Sequence, residues 1–380
     1  MSVSVDNRRT RARSALAAVL TVLILVPAAI LFASVWGTIS DKRDSTQREK
    51  QGVEYISSLA PLVSALAEAQ SSALAGVAAA PGSLTAAVNG VAAVDQRLGD
   101  ELNTRERWTG LNQKIDQLGK VTGDPVAVFQ AHAEVTDLAL ALYDAVRDNS
   151  ELVRDPDNDI SHLQQAVAAD LPESVVQVSR MGDLAQQVAS GDAKTKAQLA
   201  PQFGAAVEQV NSSVSELTDN LQAAVDDTGS VTLSGNLVNG LDSFRRGVES
   251  LTRGANLGGA PNTATMATAQ SQLQTSLSNL SGIVTREMTV LLDDRLDSLD
   301  TDAIVALASA AAAVLLVATA MVLPLTGTGR RIFTPVPGAG PRDLDPGPAG
   351  ADPGRPDAGH RAPAYGETNP TRRERSGALR

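Results

Sequence analysis

The sequence predicts an all-α protein, in which an elongated helical bundle, or two stacked four-helix bundles, lies between two transmembrane helices and is followed by a disordered tail. Composition is the first reason, because 43% of the residues are hydrophobic but only 3% are aromatic, which favours helices packed through small aliphatic side chains. Two long uncharged apolar runs are the second reason. The third is the helical spacing of apolar residues between those runs.

The two apolar runs, residues 14–36 and 303–325, contain no charged side chain. Each has the roughly 20 residues that a helix needs to cross the hydrocarbon core of a bilayer. The first run is too long for the apolar region of a signal peptide, and no clean A-x-A cleavage site follows it. We therefore predict an uncleaved anchor. The second run is more continuously apolar than the rest of the chain, which favours a membrane span over a buried core helix.

Charged residues flank the two predicted spans unequally. Arginines precede the first span, in the basic segment 1–13, and follow the second at Arg330 and Arg331, whereas aspartates crowd the other side of the second span. Because arginine-rich flanks stay in the cytoplasm, we predict a two-pass protein of the plasma membrane with both termini cytoplasmic and residues 37–302 outside. The chain carries a net charge of −11 although both flanks are basic. The external segment is therefore strongly acidic and should repel nucleic acid.

The external segment is predicted to be helical almost throughout. Its first helix, 41–80, keeps small or apolar residues at heptad spacing, with Gln70 as a polar exception. Pro172 should kink or divide a later helix. The first and last helices are each fused to a span, so they should lie side by side while the middle helices fold back between them. Further helices are expected between Gly- or Pro-containing breaks, near residues 84–101, 104–121, 126–152, 158–189, 193–228 and 235–255.

Residues 326–380 differ in composition from the rest of the chain. Half of the 18 prolines fall in this segment, mixed with Gly, Ala, Arg and Asp. A sequence of this kind cannot bury a hydrophobic core. We therefore predict a disordered cytoplasmic tail.

The stretch DPDND, which begins at Asp155, raises the question of chemistry. Asp155, Asp157 and Asp159 have the spacing that begins a calcium-binding EF-hand loop. Such a loop needs Gly at its sixth position and Glu at its twelfth, and here these are Ile160 and Ala166. We therefore interpret the stretch as a connection whose Asp or Asn side chains cap the second helix. The sequence has no nucleophile motif, phosphate loop or acid–base pair, so we predict no enzyme, cofactor or metal site.

Two arginines on predicted helices are candidates for binding. Arg147 continues an apolar stripe of its helix, and a guanidinium on the inner stripe of a bundle is suited to hold a carboxylate ligand. The alternative is that Arg147 lies in the last turn of the helix and interacts with the free carbonyl groups there. Arg180 lies opposite the apolar stripe of its own helix and should face solvent or a partner.

A short pattern surrounds the DPDND stretch: a Ser, an L-x-x-DP-x-x-D core, a later Leu, an LP pair and a helix that carries an Arg. The matching residues are Ser150, Leu152, Asp155, Pro156, Asp159, Leu163, Leu171, Pro172 and Arg180. On these residues the chain resembles the all-helical external sensor regions of bacterial chemoreceptors, sensor histidine kinases and diguanylate cyclases, and its external size is similar to the helical bimodular type. It departs from the pattern at Ile160, Ser161 and His162, where the family carries Ser and aromatic residues.

The resemblance implies a membrane receptor for a small organic ligand. Ligand binding would shift the first external helix against the last, and the second span would carry that shift inward. Helices fused to spans also suggest a homodimer. Receptors of this family continue into a HAMP linker and a signalling domain, which the tail does not resemble. A separate cytoplasmic signalling partner, a decayed gene product or an out-of-frame tail would each explain the difference. The alternative function is a non-signalling scaffold of the cell envelope that binds other surface components.

Overall fold

A computed structural model describes residues 3–77, 81–152, 155, 157–228, 231–256 and 260–322. Every regular element in this part of the chain is a helix, which confirms the all-α prediction. The tail predicted to be disordered, 326–380, lies outside the described residues, as does Pro156. The helices are α1 (Val3–Leu74), α2 (Gly82–Leu98), α3 (Arg105–Leu118), α4 (Pro125–Asn149), α5 (Asn158–Gln165), α6 (Leu171–Ser190), α7 (Ala193–Asp227), α8 (Val231–Ala255) and α9 (Thr263–Val322).

Helices α1 and α9 run without a break from the apolar runs into the bundle, as predicted. Among the described residues, the stretches Thr21–Leu74 and Thr263–Thr319 are long and apolar enough to cross a membrane, with mean hydropathies of 2.3 and 2.1 in their most apolar windows. The other described residues do not cover these windows, and side chains such as Leu23 and Leu315 are 67% and 66% exposed. Continuous exposed apolar surface of this size is what a lipid environment covers.

Helix α1 ends at Leu74, earlier than the predicted end near residue 80. Gly76 has a φ of +80°, the left-handed conformation that glycine adopts without steric penalty at a helix C-terminus. The N–H groups of Gly76 and Val77 donate to the carbonyls of Ala73 and Ser72, both at 3.0 Å. The glycine therefore stops the helix before the Pro-Gly-Ser break is reached.

Helix α5 passes into α6 through one π-helical turn, Ala166–Asp170. Pro172 follows this turn directly. Proline lacks an N–H group, and in a regular α-helix its ring would clash with the carbonyl four residues earlier, which belongs to Ala168. The wider π turn accommodates the proline without ending the helix. The predicted interruption at Pro172 therefore takes the form of a π turn.

With α5 and α6 counted as one helix through the π turn, the helices form two groups of four. In the first group α1 packs on α2 and α4, and α3 closes the group between α2 and α4. In the second group the α5–α6 helix packs on α7, α7 on α8, and α8 on α9. Helices α1, α6 and α9 also pack on one another and join the two groups. Each helix that continues into an apolar run thus belongs to a different group.

The two groups lie side by side and begin at the same level along the bundle. An ion pair joins Lys50 of α1 to Asp293 of α9. One turn further along α1, Glu54 binds a side chain of α2, and a little further along the bundle Glu287 of α9 accepts a 3.0 Å hydrogen bond from α8. The arrangement differs from the stacked alternative because α1 of the first group packs along α6 and α9 of the second.

Helix α1 is buried on more than the predicted heptad seam. Leu59, Leu62 and Leu66, which lie outside that seam, are at most 1% exposed. The reason is that α1 packs against α2 and α4 in its own group and against α6 and α9 in the other. The polar exception Gln70 is paired inside this core, because its Nε2 donates to Asp183 Oδ2 of α6 at 2.8 Å.

Candidate functional site

A cluster of charged side chains lies at the span-proximal end of the bundle, meaning the end where α1 and α9 continue into the apolar runs. We call it the Arg295 junction, and it consists of Glu49, Asp155, Asp157, Gln164 and Arg295. Four structural units meet there: α1 supplies Glu49, α9 supplies Arg295, α5 supplies Gln164, and the connection between α4 and α5 supplies Asp155 and Asp157. The junction therefore ties both span-fused helices to the DPDND stretch.

The guanidinium of Arg295 binds Asp155 through two parallel hydrogen bonds. Its Nη1 and Nη2 atoms each lie 2.7 Å from a different carboxylate oxygen of Asp155. Nη2 also donates to Asp157 Oδ2 at 2.6 Å, and Nη1 lies 3.5 Å from Glu49 Oε2. The Asp155 carboxylate is fully buried, and the Arg295 side chain is 17% exposed. Two-pronged pairing of this kind fixes both distance and orientation.

Glu49 is the second buried carboxyl group of the junction, with its side chain 4% exposed. Burial, followed by the charge of Asp155 and a hydrogen bond with it, raises the pKa of Glu49 from 4.5 to about 8. Arg295 opposes this shift but does not cancel it, because it is already engaged by two aspartates. At neutral pH Glu49 is therefore mainly protonated.

The end of α4 is held against α1 beside the junction. Glu151 has a φ of +64°, and its carboxylate accepts a 2.6 Å hydrogen bond from Ser45 of α1 and pairs with Arg48 of the same helix. Gly52 allows the close approach, because a Cβ atom there would lie 2.1 Å from Ser150 Oγ. Contacts to α1 thus fix the chain on entry to the DPDND connection.

Asp155 and Asp157 of DPDND have a different role from the predicted helix capping. The stretch does connect two helices, but Asp157, at the N-cap position of α5, makes no side-chain capping bond. Its carboxylate binds Arg295 instead. Asp155 accepts a hydrogen bond from the Asp157 N–H at 2.8 Å, and Asp159 accepts one from the Ile160 N–H at 2.8 Å. The prediction did not include Arg295 of α9, whose positive charge binds Asp155 and Asp157.

Both candidate arginines are engaged within the protein. Arg147 lies in the last turn of α4, where its guanidinium is 3.2 Å from Asp144 and 3.6 Å from Asp148. Its predicted role in binding a ligand stays a prediction. The expectation that Arg180 faces solvent or a partner is wrong, because its side chain is 18% exposed and crosses to α4. There it donates to the Ala133 carbonyl at 3.1 Å and pairs with an aspartate.

Two leucines and a proline of the short pattern have structural roles. Leu163 of α5 and Leu171 of α6 are 0% and 2% exposed and belong to the core, and Pro172 follows the π turn.

No family model, curated protein or solved structure matches this chain. The resemblance to receptor sensor regions therefore stays a prediction. Among the residues that the structure describes, no group of three or more His, Asp or Glu side chains is placed to hold a metal ion.

Two charged residues on the apolar stripes of α1 and α9 are the sequence signal for the Arg295 junction. Arg295 follows the buried Met288 and Leu292 at helical spacing, so it continues the apolar stripe of α9. Glu49 likewise lies four residues before the buried Val53 on the stripe of α1. A charged residue on an inner stripe requires a buried partner of opposite charge. Two such residues on the two span-fused helices point to one shared ionic site.

Proposed function

We propose that this chain is the sensing half of a two-pass membrane receptor, whose external bundle responds to a small ligand or partner and relays helix movement through the second span. One observation carries the proposal: Arg295, on the helix that continues into the second apolar run, binds the α4–α5 connection and lies beside Glu49 of the other span-fused helix. A displacement of either group within the bundle is thereby transmitted to α9.

The membrane topology of the proposal rests on the flanking charges. Arginines lie outside both apolar runs, at the N-terminal end of the first and at Arg330 and Arg331 after the second. The segment between the runs is strongly acidic. The positive-inside tendency therefore supports cytoplasmic termini and an external bundle.

The junction has the composition of a switch with two arrangements. One guanidinium faces three carboxyl groups, and only Asp155 is held by two hydrogen bonds. A small rotation or translation of α9 would change the contacts of the Arg295 guanidinium to Asp157 and Glu49, while the guanidinium stays paired with Asp155. Helix shifts of about 1–2 Å are typical of such transitions. A ligand can shift this balance only through its different affinities for the two arrangements.

The proposal is tested with spin labels on the full chain in lipid nanodiscs. The chain contains no cysteine, so exposed Arg107 of α3 and exposed Thr301 of α9 can each be replaced by Cys and labelled selectively. Compounds from a metabolite collection are first screened for an increase in Tm of the full chain, because a ligand of the folded state raises its stability. We expect a stabilising compound to change the distance between residues 107 and 301 by at least about 1 Å.

The alternative function, a non-signalling scaffold, gives a different result in the same experiment. A scaffold binds no small ligand, so no compound would raise the Tm. A compound that raises the Tm and leaves the distance unchanged would show binding without relay. Either result contradicts the proposed receptor.

A further inference from the structure

A groove of about 940 Å³ opens between α1, α2 and α9, away from the Arg295 junction. Its mouth is lined by exposed small or polar residues, among them Ser57, Pro61, Ser64, Ser278 and Gly282. Such a volume lies at the upper end of the range that small-molecule sites occupy. Because α1 forms one wall and α9 the other, the groove lies between the two span-fused helices.

The inner end of the groove is apolar and buried. Val167 of the π turn, together with Leu171 and Val175 of α6, lines it and is at most 9% exposed. Tyr143 of α4 also lines it and is 2% exposed. The Tyr143 hydroxyl makes no hydrogen bond with the described part of the chain, whereas the hydroxyl of buried Tyr55 donates to Asp95 at 2.9 Å.

A largely buried tyrosine without a hydrogen-bond partner in the described part of the chain is unusual, because buried tyrosines normally find one. Burial also raises the pKa of Tyr143, so the group stays neutral. Pro61 adds a second free polar group at the mouth. Proline has no N–H, so the carbonyl of Ser57 lacks its helical donor. Both groups are suited to an added hydrogen-bonding molecule.

The charges around the groove indicate what kind of molecule fits. The ionisable lining residues are Glu68 and Arg286, both exposed and opposite in sign. Glu68 already accepts a hydrogen bond from Ser83 at 2.6 Å. No buried lining residue carries a charge among those described, so a charged ligand would lose its hydration without compensation.

We infer that the groove binds an uncharged, mainly apolar molecule that carries a hydroxyl group, and that this hydroxyl pairs with Tyr143. The inference rests on the proposed function in one respect, since it names the ligand class of the sensing region. The apolar body of the ligand contacts Val167 and Leu171, and its edges contact α1 and α9. A bound molecule of this kind sits between the two helices that lead to the Arg295 junction.

Binding of 1-naphthol to the full chain in nanodiscs tests the inference, with empty nanodiscs as the background. Naphthalene lacks the hydroxyl and 1-naphthoate is charged, so the three probes separate the contributions. We expect 1-naphthol to bind and 1-naphthoate not to bind. Tyr143→Phe should weaken 1-naphthol binding by about 3- to 10-fold, as expected for one hydrogen bond, and leave naphthalene binding unchanged.

Two further variants separate the groove from general effects. Tyr55→Phe also removes a buried hydroxyl, but Tyr55 does not line the groove, so 1-naphthol affinity should stay at the wild-type value. Ser281→Trp places a large side chain in the groove and should abolish binding of both uncharged probes. Tyr143→Phe removes an unpaired hydroxyl, so it should fold with an unchanged or higher Tm.

The inference is overturned if 1-naphthol does not bind up to its solubility limit, if Tyr143→Phe binds it as tightly as wild type, or if Ser281→Trp still binds it. Failure of the receptor proposal is a separate result. In that case 1-naphthol binds in the groove with the expected response to Tyr143→Phe, while the distance between residues 107 and 301 stays constant.

Discussion

One guanidinium pairs with two aspartates and lies beside a glutamate of raised pKa at the place where α1 and α9 leave the bundle. Arg295 is mostly buried, and the carboxylate of Asp155 is fully buried. Removing both charges from water is expensive, so such a pair adds little net stability compared with apolar side chains. Loss of one partner is strongly destabilising, because it leaves a buried charge without compensation. The junction therefore contributes geometry more than stability.

Replacement of Arg295 is the direct test of this pairing. Arg295→Gln leaves Asp155 buried without its cation, and we expect the free energy of unfolding to fall by about 3–5 kcal/mol. Urea unfolding of the full chain in detergent micelles measures the change. Arg286→Gln is the matched control on the same helix, because Arg286 is exposed, and it should change stability by less than about 0.5 kcal/mol.

A double-mutant cycle then separates the pair from the rest of the junction. Asp155→Asn in the Arg295→Gln background removes the unpaired charge, so the double variant should recover part of the lost stability. Coupling energies for such contacts lie at about 0.5–3 kcal/mol. Additive effects of the two substitutions would contradict a direct interaction.

Glu49 gives the junction a defined pH dependence. Its pKa is raised to about 8 in the folded protein, first by burial and then by Asp155, while Glu151 adds to the shift and Arg295 opposes it. The folded state therefore keeps a proton that the unfolded chain releases above its ordinary pKa of 4.5. The stability from this proton is fully present below pH 4.5 and is lost as the pH rises to about 8.

We therefore expect Glu49→Gln to remove this part of the pH dependence. The variant keeps a neutral side chain, so its free energy of unfolding should decline less than that of wild type between about pH 5 and pH 8. Above pH 8 it should be the more stable protein. Glu54→Gln, at an exposed position of the same helix, should keep the wild-type pH profile. Parallel profiles of wild type and Glu49→Gln would show that Glu49 does not hold the proton.

At the level of the elements, α1 and the chain that follows α4 approach each other closely at Gly52. A Cβ atom there would lie 2.1 Å from Ser150 Oγ and 2.8 Å from Leu152 Cδ1. Gly52→Ala should therefore lower the free energy of unfolding by about 1–3 kcal/mol, as overpacking does in tight cores. Gly204→Ala in α7 meets no atom within 4 Å, and it should raise stability by about 0.5–1 kcal/mol through helix propensity. Equal effects in urea unfolding would contradict the close approach.

Helix positions follow from the sequence because Gly and Pro punctuate it and apolar residues recur between them. The predicted breaks near the Thr-Gly-Asp-Pro and Ser-Gly-Asp stretches agree with α4, which begins at Pro125, and α7, which begins at Ala193. The π turn before Pro172 was not predicted, because local sequence does not show how the chain accommodates a proline inside a helix. The early end of α1 at Leu74 was not predicted either. It depends on the left-handed conformation of Gly76, and the Pro-Gly-Ser stretch nearby is the stronger helix-ending signal in the sequence.

The candidate site was harder to predict than the helices, because its partners are far apart in sequence. Helical spacing places Glu49, Gln70 and Arg295 on inner stripes, but it does not say which residue each one meets. The structure pairs Gln70 with Asp183 and Arg295 with Asp155. From the sequence alone, the aspartates of DPDND are equally well explained as helix caps. Only the packing of α9 shows that two of them pair with Arg295 instead.

In the whole molecule the two helix groups share one boundary, and each group contributes one span-fused helix to it. Along this boundary the groove lies between α1 and α9, and the Arg295 junction lies nearer the apolar runs on the same two helices. Any change in the position of the second group relative to the first therefore changes the relation between the two apolar runs. The junction and the ion pairs Lys50–Asp293 and Arg43–Asp300 cross this boundary, beside the packing of α1 on α6 and α9.

Loosening the junction should accordingly free the second group from the first. With spin labels at residues 107 and 301 in nanodiscs, wild type should give one narrow distance distribution. Arg295→Gln should broaden it or add a second distance, because α9 loses its bond to the α4–α5 connection while the more exposed pairs at Lys50 and Arg43 are weak. Arg286→Gln, which changes the same charge on the same helix, should keep the narrow distribution. An unchanged distribution in Arg295→Gln would show that apolar packing of α1 on α9 sets the boundary without the junction.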